Sequence, residues 1–403
     1  MSYDNDLSAP RGADAALYIH VAFCRRICHY CDFNTYVGQD ALLPRYAAAL
    51  HRELERLPAD LRATSLFFGG GTPSMLSPAQ VADLVAAARD RCLPSSAEVT
   101  LEANPCDLSL EYLVGLRAAG VNRLSVGIQS FDDRLLRRLG RRHDARQALD
   151  SVALARAAGF DNLSLDLMYA LPGQDLDHWR ETLDVALGLA PDHLSLYCLT
   201  LEEGTPFAKW HREGKLAVPD DDAAADMYDL ARDTLAARGF VHYEISNFAR
   251  RDPARDLRGQ HNLVYWRNQP YFGLGAGAHS SYGGRRFANV LLPAEYLRRI
   301  EAGESAIGES EEISPALERA ETVILGLRLA EGVGRREFAA RFGDELFDLY
   351  GPAIAELAAL GLVERTEDAL RLTMRGQLLG NEAFERFLPT GQVTTSGPMA
   401  TGG

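Results

Sequence analysis

Short strand-forming segments alternate with longer amphipathic segments from residue 16 to about residue 240, and this alternation restricts the fold more than any other feature. The predicted strands are apolar or alternating and are bounded by Gly, Pro, Asn or Asp. They cover residues 17–21, 65–68, 98–102, 123–128, 162–168 and 193–199. Strands separated by helices usually pair in parallel through right-handed crossovers. The sequence therefore predicts an α/β fold with a parallel sheet.

The segments between and after these strands have helical periodicity and cover residues 41–57, 78–92, 109–119, 132–158, 175–188 and 219–238. Six such units can form a full barrel, an open partial barrel or a doubly wound sheet, and periodicity alone does not distinguish these. In each case functional side chains gather at the C-terminal ends of the strands. Several predicted strands carry polar or glycine residues at that end, namely Gly69 to Thr72, Glu102, Asn104, Gln129 and Asp166. We expect these residues to meet at one mouth.

After residue 240 the regular alternation of strand-forming and helical segments ends. Residues 241–312 read as a connecting region of loops and short strands, including 261–266. Residues 313–388 show about three helices, a hairpin over 362–372 and one more helix, which predicts a winged-helix-like α+β cap. The hairpin carries both acidic and basic residues, so the cap is not expected to bind DNA. Residues 1–15 and 389–403 are expected to be flexible.

Composition excludes several classes of protein. The chain of 403 residues has 42 Lys and Arg against 56 Asp and Glu, and its net charge of −14 argues against a nucleic-acid partner. Its first fifteen residues lack the basic and apolar segments of a signal peptide, and no apolar run reaches membrane-spanning length. Six cysteines are too few for a disulfide scaffold. We therefore expect a cytoplasmic protein.

Three of the six cysteines, Cys24, Cys28 and Cys31, lie within eight residues directly after the first predicted strand. Three thiolates on one short loop can bind three irons of a [4Fe–4S] cluster and leave the fourth iron open. The alternative is a structural zinc site with His20 or His29 as the fourth ligand. The absence of a second cysteine pair, together with the run Gly69-Gly70-Gly71-Thr72-Pro73 after the second strand, favours the cluster.

The C-x3-C-x2-C loop and the glycine run together resemble the radical S-adenosylmethionine (SAM) superfamily and, within it, the HemN-like group. The resemblance covers about residues 16–385. It implies a partial (β/α)6 barrel in which the open iron chelates SAM, so that the cofactor carries the radical chemistry.

The resemblance also implies which residues contact SAM. Phe33 resembles the adenine contact, Tyr18 an aromatic wall and His20 a neighbour of the cluster. Gly70, Gly71 and Thr72 match the motif that faces the methionyl amine. The remaining matches contact the amine, ribose and carboxylate of SAM, and they are Glu102, Gln129, Arg141 and Asp166.

Two branches of this group are candidates for this chain. One is the oxygen-independent coproporphyrinogen III oxidase, which removes two carboxyl groups as CO2, and the other is the HemW branch of heme chaperones. The oxidase motif has a further cysteine where this chain has Phe33, and the oxidase has a longer segment before its first strand. The chaperone branch carries an H-N-x-x-Y-W motif, which stands here as residues 261–266. The sequence therefore favours a heme chaperone.

The H-N-x-x-Y-W motif supplies the predicted heme site. His261 could ligate heme iron, while Tyr265 and Trp266 offer flat apolar surfaces to the porphyrin. His279 is a second candidate ligand. Arginine pairs well with carboxylates, so Arg267, Arg285 and Arg286 are expected to meet the heme propionates.

The expected partners are heme as cargo and apo-hemoproteins as acceptors. Oligomerisation and a peripheral membrane contact are both left open by the sequence, although no amphipathic anchor stands out.

Overall fold

The computed structural model describes residues 14–389, so most of the two segments expected to be flexible lies outside the described residues. Six parallel strands stand side by side in chain order. They are β1 (Asp14–Val21), β2 (Arg62–Gly70), β3 (Glu98–Ala103), β4 (Arg123–Gln129), β5 (Leu163–Tyr169) and β6 (His193–Cys198). All six predicted strands are confirmed, and β1 and β2 are longer than their predictions. The sequential parallel order is that of the predicted (β/α)6 partial barrel.

The helices that accompany these strands lie in the predicted segments, except for the short helix at 206–212, which was not predicted. They are α1 (Leu43–Glu55), α2 (Pro78–Arg91), α3 (Leu110–Ala118), α4 (Asp133–Leu139), α5 (Ala145–Ala157), α6 (Leu176–Gly188), α7 (Pro206–Arg212) and α8 (Asp221–Ala237). The single helix predicted over 132–158 is wrong, because α4 and α5 are separate. Gly140 ends α4 with a φ of +79°, and Asp144 starts α5 through a capping box with Gln147.

The region expected to connect two domains instead extends the sheet at both edges. On one side β8 (Asn247–Arg250) pairs antiparallel with β6 and is followed in the sheet by β7 (Phe240–Glu244). On the other side β9 (Tyr271–Leu274) pairs parallel with β1, and β10 (His279–Tyr282), β11 (Arg285–Asn289) and β12 (Ile307–Glu312) follow as antiparallel strands. The resulting sheet has twelve strands and ends at β12 and β7.

Two helices belong to the same region, α9 (Gln260–Trp266) and α10 (Pro293–Glu301). The interpretation of residues 261–266 as loops and short strands is therefore wrong. Seven residues are too few to show helical periodicity, and the helix is held by a contact distant in sequence. The Glu98 carboxylate on β3 accepts hydrogen bonds from the first two backbone N–H groups of α9, at 3.2 Å each.

The C-terminal part of the chain has its own hydrophobic core and confirms the expected small α+β domain. It contains α11 (Pro315–Gly326), β13 (Val333–Gly334), α12 (Arg335–Phe342), α13 (Leu346–Leu349), α14 (Gly351–Ala359), β14 (Val363–Arg365), β15 (Ala369–Leu372), α15 (Met374–Leu378) and α16 (Gly380–Phe384). The predicted hairpin is formed by β14 and β15. Within residues 14–389 no helix combines the length and the apolarity that crossing a membrane requires.

The two faces of the parallel sheet differ in polarity, and this difference positions the site. Leu17, Ile19 and Val21 point outward into the main core, as strand alternation requires. One inward row, set by the strand register, contains Tyr18, Phe67, Thr100 and Arg123. Further along the strands, Glu102, Ser125, Asp166 and Ser195 occupy inward positions. The concave side of the sheet is thus lined by polar and ionisable groups.

Candidate metal centre and cofactor site

The cysteine loop leaves β1 at Val21 and is closed by backbone hydrogen bonds at both ends. Cys24 N–H donates to the Tyr36 carbonyl at 3.0 Å, and Tyr36 N–H donates to the Ala22 carbonyl at 3.0 Å. Midway along the loop, His29 N–H donates to the carbonyl of Leu139 at 2.9 Å. The loop is therefore held across the mouth of the barrel, between the ends of β1 and α4.

The three thiols face a small set of polar groups from other elements. Cys24 Sγ lies 2.9 Å from Thr72 Oγ1, just after β2, and the Arg141 guanidinium points at Cys28 Sγ from 3.7 Å. Burial, together with the charges of its cysteine neighbours, raises the pKa of Cys31 to about 12. The Cys31 thiol therefore needs a compensating positive charge to bind as a thiolate, and the irons of a cluster would supply that charge.

The zinc alternative needs a histidine near the thiols, and His20 does not fill that role. Its Nε2 atom lies 2.8 Å from the Asn34 carbonyl oxygen, and its Nδ1 atom lies 3.1 Å from the Tyr18 hydroxyl. Across residues 14–389, no group of three or more His, Cys, Asp and Glu side chains is arranged to hold a single metal ion. Three thiols fit a [4Fe–4S] cluster, in which each of three irons takes one thiolate ligand.

The glycines after β2 are required by close packing of the chain itself. Gly70 has a φ of +107°, and a Cβ atom there would come within 2.7 Å of the His20 ring. A Cβ atom on Gly71 would overlap the Thr35 hydroxyl and approach the Phe23 carbonyl oxygen to 2.7 Å. Larger residues would therefore push the cysteine loop away from β2.

Two half-buried carboxylates, Glu102 and Asp166, lie on the concave side of the barrel. Burial, and next the charge of Asp166, raises the pKa of Glu102 to about 8. The Ser125 hydroxyl donates to both Asp166 oxygens, at 3.0 and 3.1 Å, while burial raises the pKa of this carboxyl as well. Such a pair favours a cationic ligand, because a positive group between the carboxylates would relieve their repulsion.

Arg141 lies inside the mouth and joins three elements of the site. Its Nη2 atom donates to Asn104 Oδ1 at 2.5 Å and to the Gly127 carbonyl at 2.6 Å, while Nη1 faces Cys28. Gln129, at the end of β4, has a φ of +67°. Its Oε1 atom and Arg141 Nε are buried without a hydrogen-bond partner in the described part of the chain. These polar atoms are oriented for a ligand with hydrogen-bonding groups of its own.

Tyr18 and Phe33 have different surroundings although both are predicted to contact SAM. Tyr18 is half-buried beside His20 and stacks on Phe67, with ring centroids 6.2 Å apart. Phe33 is 49% exposed at the rim of the mouth. A ligand in the mouth would therefore meet Tyr18 as a fixed wall and could cover the exposed ring of Phe33.

Sequence reasoning did not assign a role to Asn104, Glu98 or Arg123. Asn104 donates from Nδ2 to Thr72 Oγ1 at 3.2 Å and also accepts from Arg141. Arg123 is 4% exposed, and its charge opposes the raised pKa of both Glu102 and Asp166. The sequence offers one indication that Glu98 and Arg123 have partners. Both are charged residues at the start of a predicted strand, where burial without a partner is costly.

The residues predicted to bind heme are not gathered at the mouth. His261 is only 2% exposed, with Nδ1 lying 2.9 Å from Ser65 Oγ and Nε2 lying 2.9 Å from the Tyr265 hydroxyl. Its ring stacks on Phe67 with centroids 5.0 Å apart. The helix α9 thus packs beneath Tyr18, toward the N-terminal ends of β2 and β3. In this position it fills the base of the barrel.

Most of the other predicted heme contacts have partners within the protein. Trp266 is buried under the Arg328 guanidinium, which lies 4.2 Å from the indole ring. Arg267 pairs with Glu331 at 3.0 Å, and Arg286 pairs with Glu311 and Glu321 at 2.9 and 2.7 Å. Arg285 donates to Ser310 Oγ at 2.8 Å, and His279 is half-buried on β10. His279 lies within electrostatic range of Arg286, and the Tyr265 ring contacts Tyr271, which is itself near Arg286. The assignment of these residues to heme stays a prediction.

Comparison with known proteins agrees with the geometry of the mouth. A family model described as Radical SAM superfamily matches residues 18–186, and one described as HemN C-terminal domain matches residues 313–379. The chain is 41% identical over 378 residues to the heme chaperone HemW of Bacillus subtilis, covering 92% of this chain and 98% of the relative. The chain belongs to the HemW family of radical SAM proteins.

A further relative and one solved structure extend this result. The mitochondrial radical S-adenosyl methionine domain-containing protein 1 of Bos taurus is 38% identical, covering 91% of this chain and 86% of that protein. The structure of coproporphyrinogen III oxidase (HemN) from Escherichia coli, a radical SAM enzyme, matches with a TM-score of 0.80 at 25% identity. It covers 94% of this chain and 91% of that chain. The predicted family and fold are confirmed, and membership implies a [4Fe–4S] cluster and SAM.

Proposed function

We propose that this protein is a heme chaperone that binds heme and passes it to apo-hemoproteins. The observation that carries the proposal is the 41% identity to a heme chaperone, over 98% of that relative's length. A match that extends through both the barrel and the C-terminal domain is more informative than a shared barrel, since one fold hosts many activities.

In this proposal Cys24, Cys28 and Cys31 hold a [4Fe–4S] cluster whose open iron faces the mouth of the barrel. When bound, the cluster and SAM supply one-electron chemistry. Arg141 contacts Cys28 directly and is linked through Asn104 and Thr72 to Cys24, so it would help to position the loop around the cluster.

The SAM site uses the groups around that mouth. Glu102 and Asp166 would face the cationic parts of the ligand, and the unpartnered Gln129 Oε1 would accept a hydrogen bond. Tyr18, Phe33 and His20 would form the walls, and the segment of Gly70, Gly71 and Thr72 would present backbone groups. Each of these assignments rests on position at the mouth and on the family motif.

Coproporphyrinogen III oxidase activity is the second candidate, because the solved oxidase shares this fold over nearly the whole chain. Its motif has an additional cysteine, implied by the family resemblance, where this chain has the half-exposed Phe33. The identity of 41% and 37% to the heme chaperones, against 25% to the oxidase, favours the first candidate.

Two experiments test the proposal. Protein loaded anaerobically with hemin should restore cytochrome spectra in membranes from heme-starved cells faster than free hemin at the same concentration. Equal rates would contradict chaperone activity. Expression in cells that lack coproporphyrinogen oxidase should leave their porphyrin synthesis blocked, and restored growth without added heme would establish the oxidase instead.

A further inference from the structure

Arg123, at the start of β4, is a buried cation inside the barrel. Its side chain lies in the inward row of the sheet, and the residue is only 4% exposed. Its Nε atom is buried without a hydrogen-bond partner, and no ion pair joins its guanidinium to a carboxylate of residues 14–389. Glu98, at the same end of the barrel, accepts instead from backbone N–H groups of α9. Burying a guanidinium without a partner is costly, so this position indicates a partner from outside the chain.

The neutral side chains around Arg123 already use the atoms that could accept a hydrogen bond from it. Both ring nitrogens of His193 are engaged, Nδ1 at 2.8 Å from Ser164 Oγ and Nε2 at 2.9 Å from the Tyr243 hydroxyl. His261 is held by its own two hydrogen bonds, as described above. Burial, and next the charge of Arg123, lowers the pKa of both rings, so both are neutral at pH 7. None of these groups serves as a partner for the guanidinium.

The two carboxylates Glu102 and Asp166 lie nearer the mouth of the barrel than Arg123. Glu102 stands two residues beyond Thr100 on β3, which is about 7 Å along the strand. Asp166 accepts hydrogen bonds from the Ser125 hydroxyl, two residues beyond Arg123 on β4. Because the pKa of Glu102 is raised to about 8, Glu102 holds a proton at neutral pH, and hydroxyl groups stabilise Asp166. The interior of the barrel is therefore acidic toward the mouth and cationic at depth.

Thr100 supplies a second hydrogen-bond donor beside Arg123. The two residues are partners in the register of β3 and β4, so their side chains leave the sheet on the same face. Thr100 is fully buried, and its Oγ1 atom has no hydrogen-bond partner in the described part of the chain. A guanidinium and a hydroxyl side by side match the two oxygens of a carboxylate.

The interior of the barrel is open enough for solvent to reach side chains well below the rim. Tyr18, Phe67 and Tyr265 all lie inside and are only half-buried. Arg123 extends toward the closed base, where its Nη2 atom lies 3.7 Å from the position that a Cβ would take on Gly259, just before α9. A ligand that enters through the mouth would therefore meet the guanidinium at the far end.

We propose that the interior of the barrel binds the carboxylate group of a small organic acid, held by the Arg123 guanidinium and the Thr100 hydroxyl. The rest of the ligand extends from Arg123 toward the mouth and ends beneath Glu102 and Asp166. Binding changes no covalent bond, since both donors keep their protons and the carboxylate stays ionised. The inference goes beyond the proposed heme transfer and does not depend on it.

The test is binding of isotopically labelled propionate to the full-length, cluster-loaded protein, followed by broadening of the carboxylate resonance in nuclear magnetic resonance spectra. Propionamide has the same size and no charge, and we expect wild type to bind propionate but not propionamide. Arg123→Met should weaken propionate binding roughly tenfold, the loss of one charge-assisted contact. Thr100→Val keeps the shape of the side chain and should weaken binding severalfold. Arg137→Met, which removes an exposed arginine from α4, is the matched control and should bind propionate like wild type.

Each other outcome counts against the proposal. Absence of propionate binding by wild type would overturn it and leave heme transfer untouched. Equal affinities of wild type and Arg123→Met, with circular dichroism showing a folded variant, would overturn the assigned site. If Arg123→Met does not fold, Thr100→Val decides, and an unchanged affinity there has the same consequence. Displacement of propionate by an equal concentration of chloride would show a site for small anions in general and refute the carboxylate class.

Discussion

Replacing His261 with alanine distinguishes a structural role of α9 from heme ligation. The substitution removes two buried hydrogen bonds, to Ser65 and Tyr265, which contribute about 1 kcal/mol each. It also removes the ring contact with Phe67, worth a further ~1 kcal/mol or more. The expected loss is therefore about 3 kcal/mol of unfolding free energy. For a unit of barrel size this corresponds to a fall of roughly 6–12 °C in the Tm of the barrel transition.

The assay is thermal unfolding of wild type, His261→Ala and Tyr265→Phe, followed by circular dichroism. Tyr265→Phe keeps the aromatic ring and loses one of the two hydrogen bonds, so a decrease of roughly 2–4 °C is expected. Hemin titration of each variant well below its Tm completes the set. We expect affinities close to wild type, because His261 is buried and both of its ring nitrogens are engaged.

An unchanged Tm for His261→Ala together with a lost Soret shift would refute this reasoning. That result would return His261 to the role of axial ligand, as the motif alone predicted. It would also require α9 to move when heme binds, because the present packing leaves only 2% of His261 exposed.

Three further predictions concern the mouth of the barrel. Because the pKa of Glu102 is raised from 4.5 to about 8, the native state holds a proton that the unfolded state releases, so stability is lost as pH rises from 4.5 to 8. Glu102→Gln should flatten this decline in melts of cluster-free protein between pH 5 and 8.5, and an identical pH slope would contradict it. Gly71→Ala should reduce the iron content after anaerobic reconstitution, since its Cβ would overlap Thr35, whereas Gly188→Ala, in open space, should leave the iron content unchanged. Arg141→Lys should weaken SAM binding roughly tenfold in isothermal titration, because lysine cannot contact Asn104, Gly127 and Cys28 together. Arg137→Lys, at an exposed position, is the control. Equal SAM affinities of Arg141→Lys and wild type would count against the assigned position of Arg141.

The sequence by itself determined the six parallel strands and the place where their functional ends meet. Each strand is a short apolar run between turn residues, so its position depends on local composition. The order of the cysteine loop, the glycine run, Glu102 and Gln129 along the chain then puts them at one edge, because parallel strands all end on the same side. Arg141 and the loop cysteines also lie there as expected.

Only the tertiary structure decided the features that depend on contacts distant in sequence. The motif at 261–266 is too short to show a helical period, and its helix is held at the base of the barrel by Glu98, more than 160 residues earlier. Two of the arginines expected at heme, Arg267 and Arg286, are paired with carboxylates distant in sequence, and such pairs leave no local pattern. Local sequence sets the elements, whereas burial and ion pairing between distant segments set what each side chain can reach.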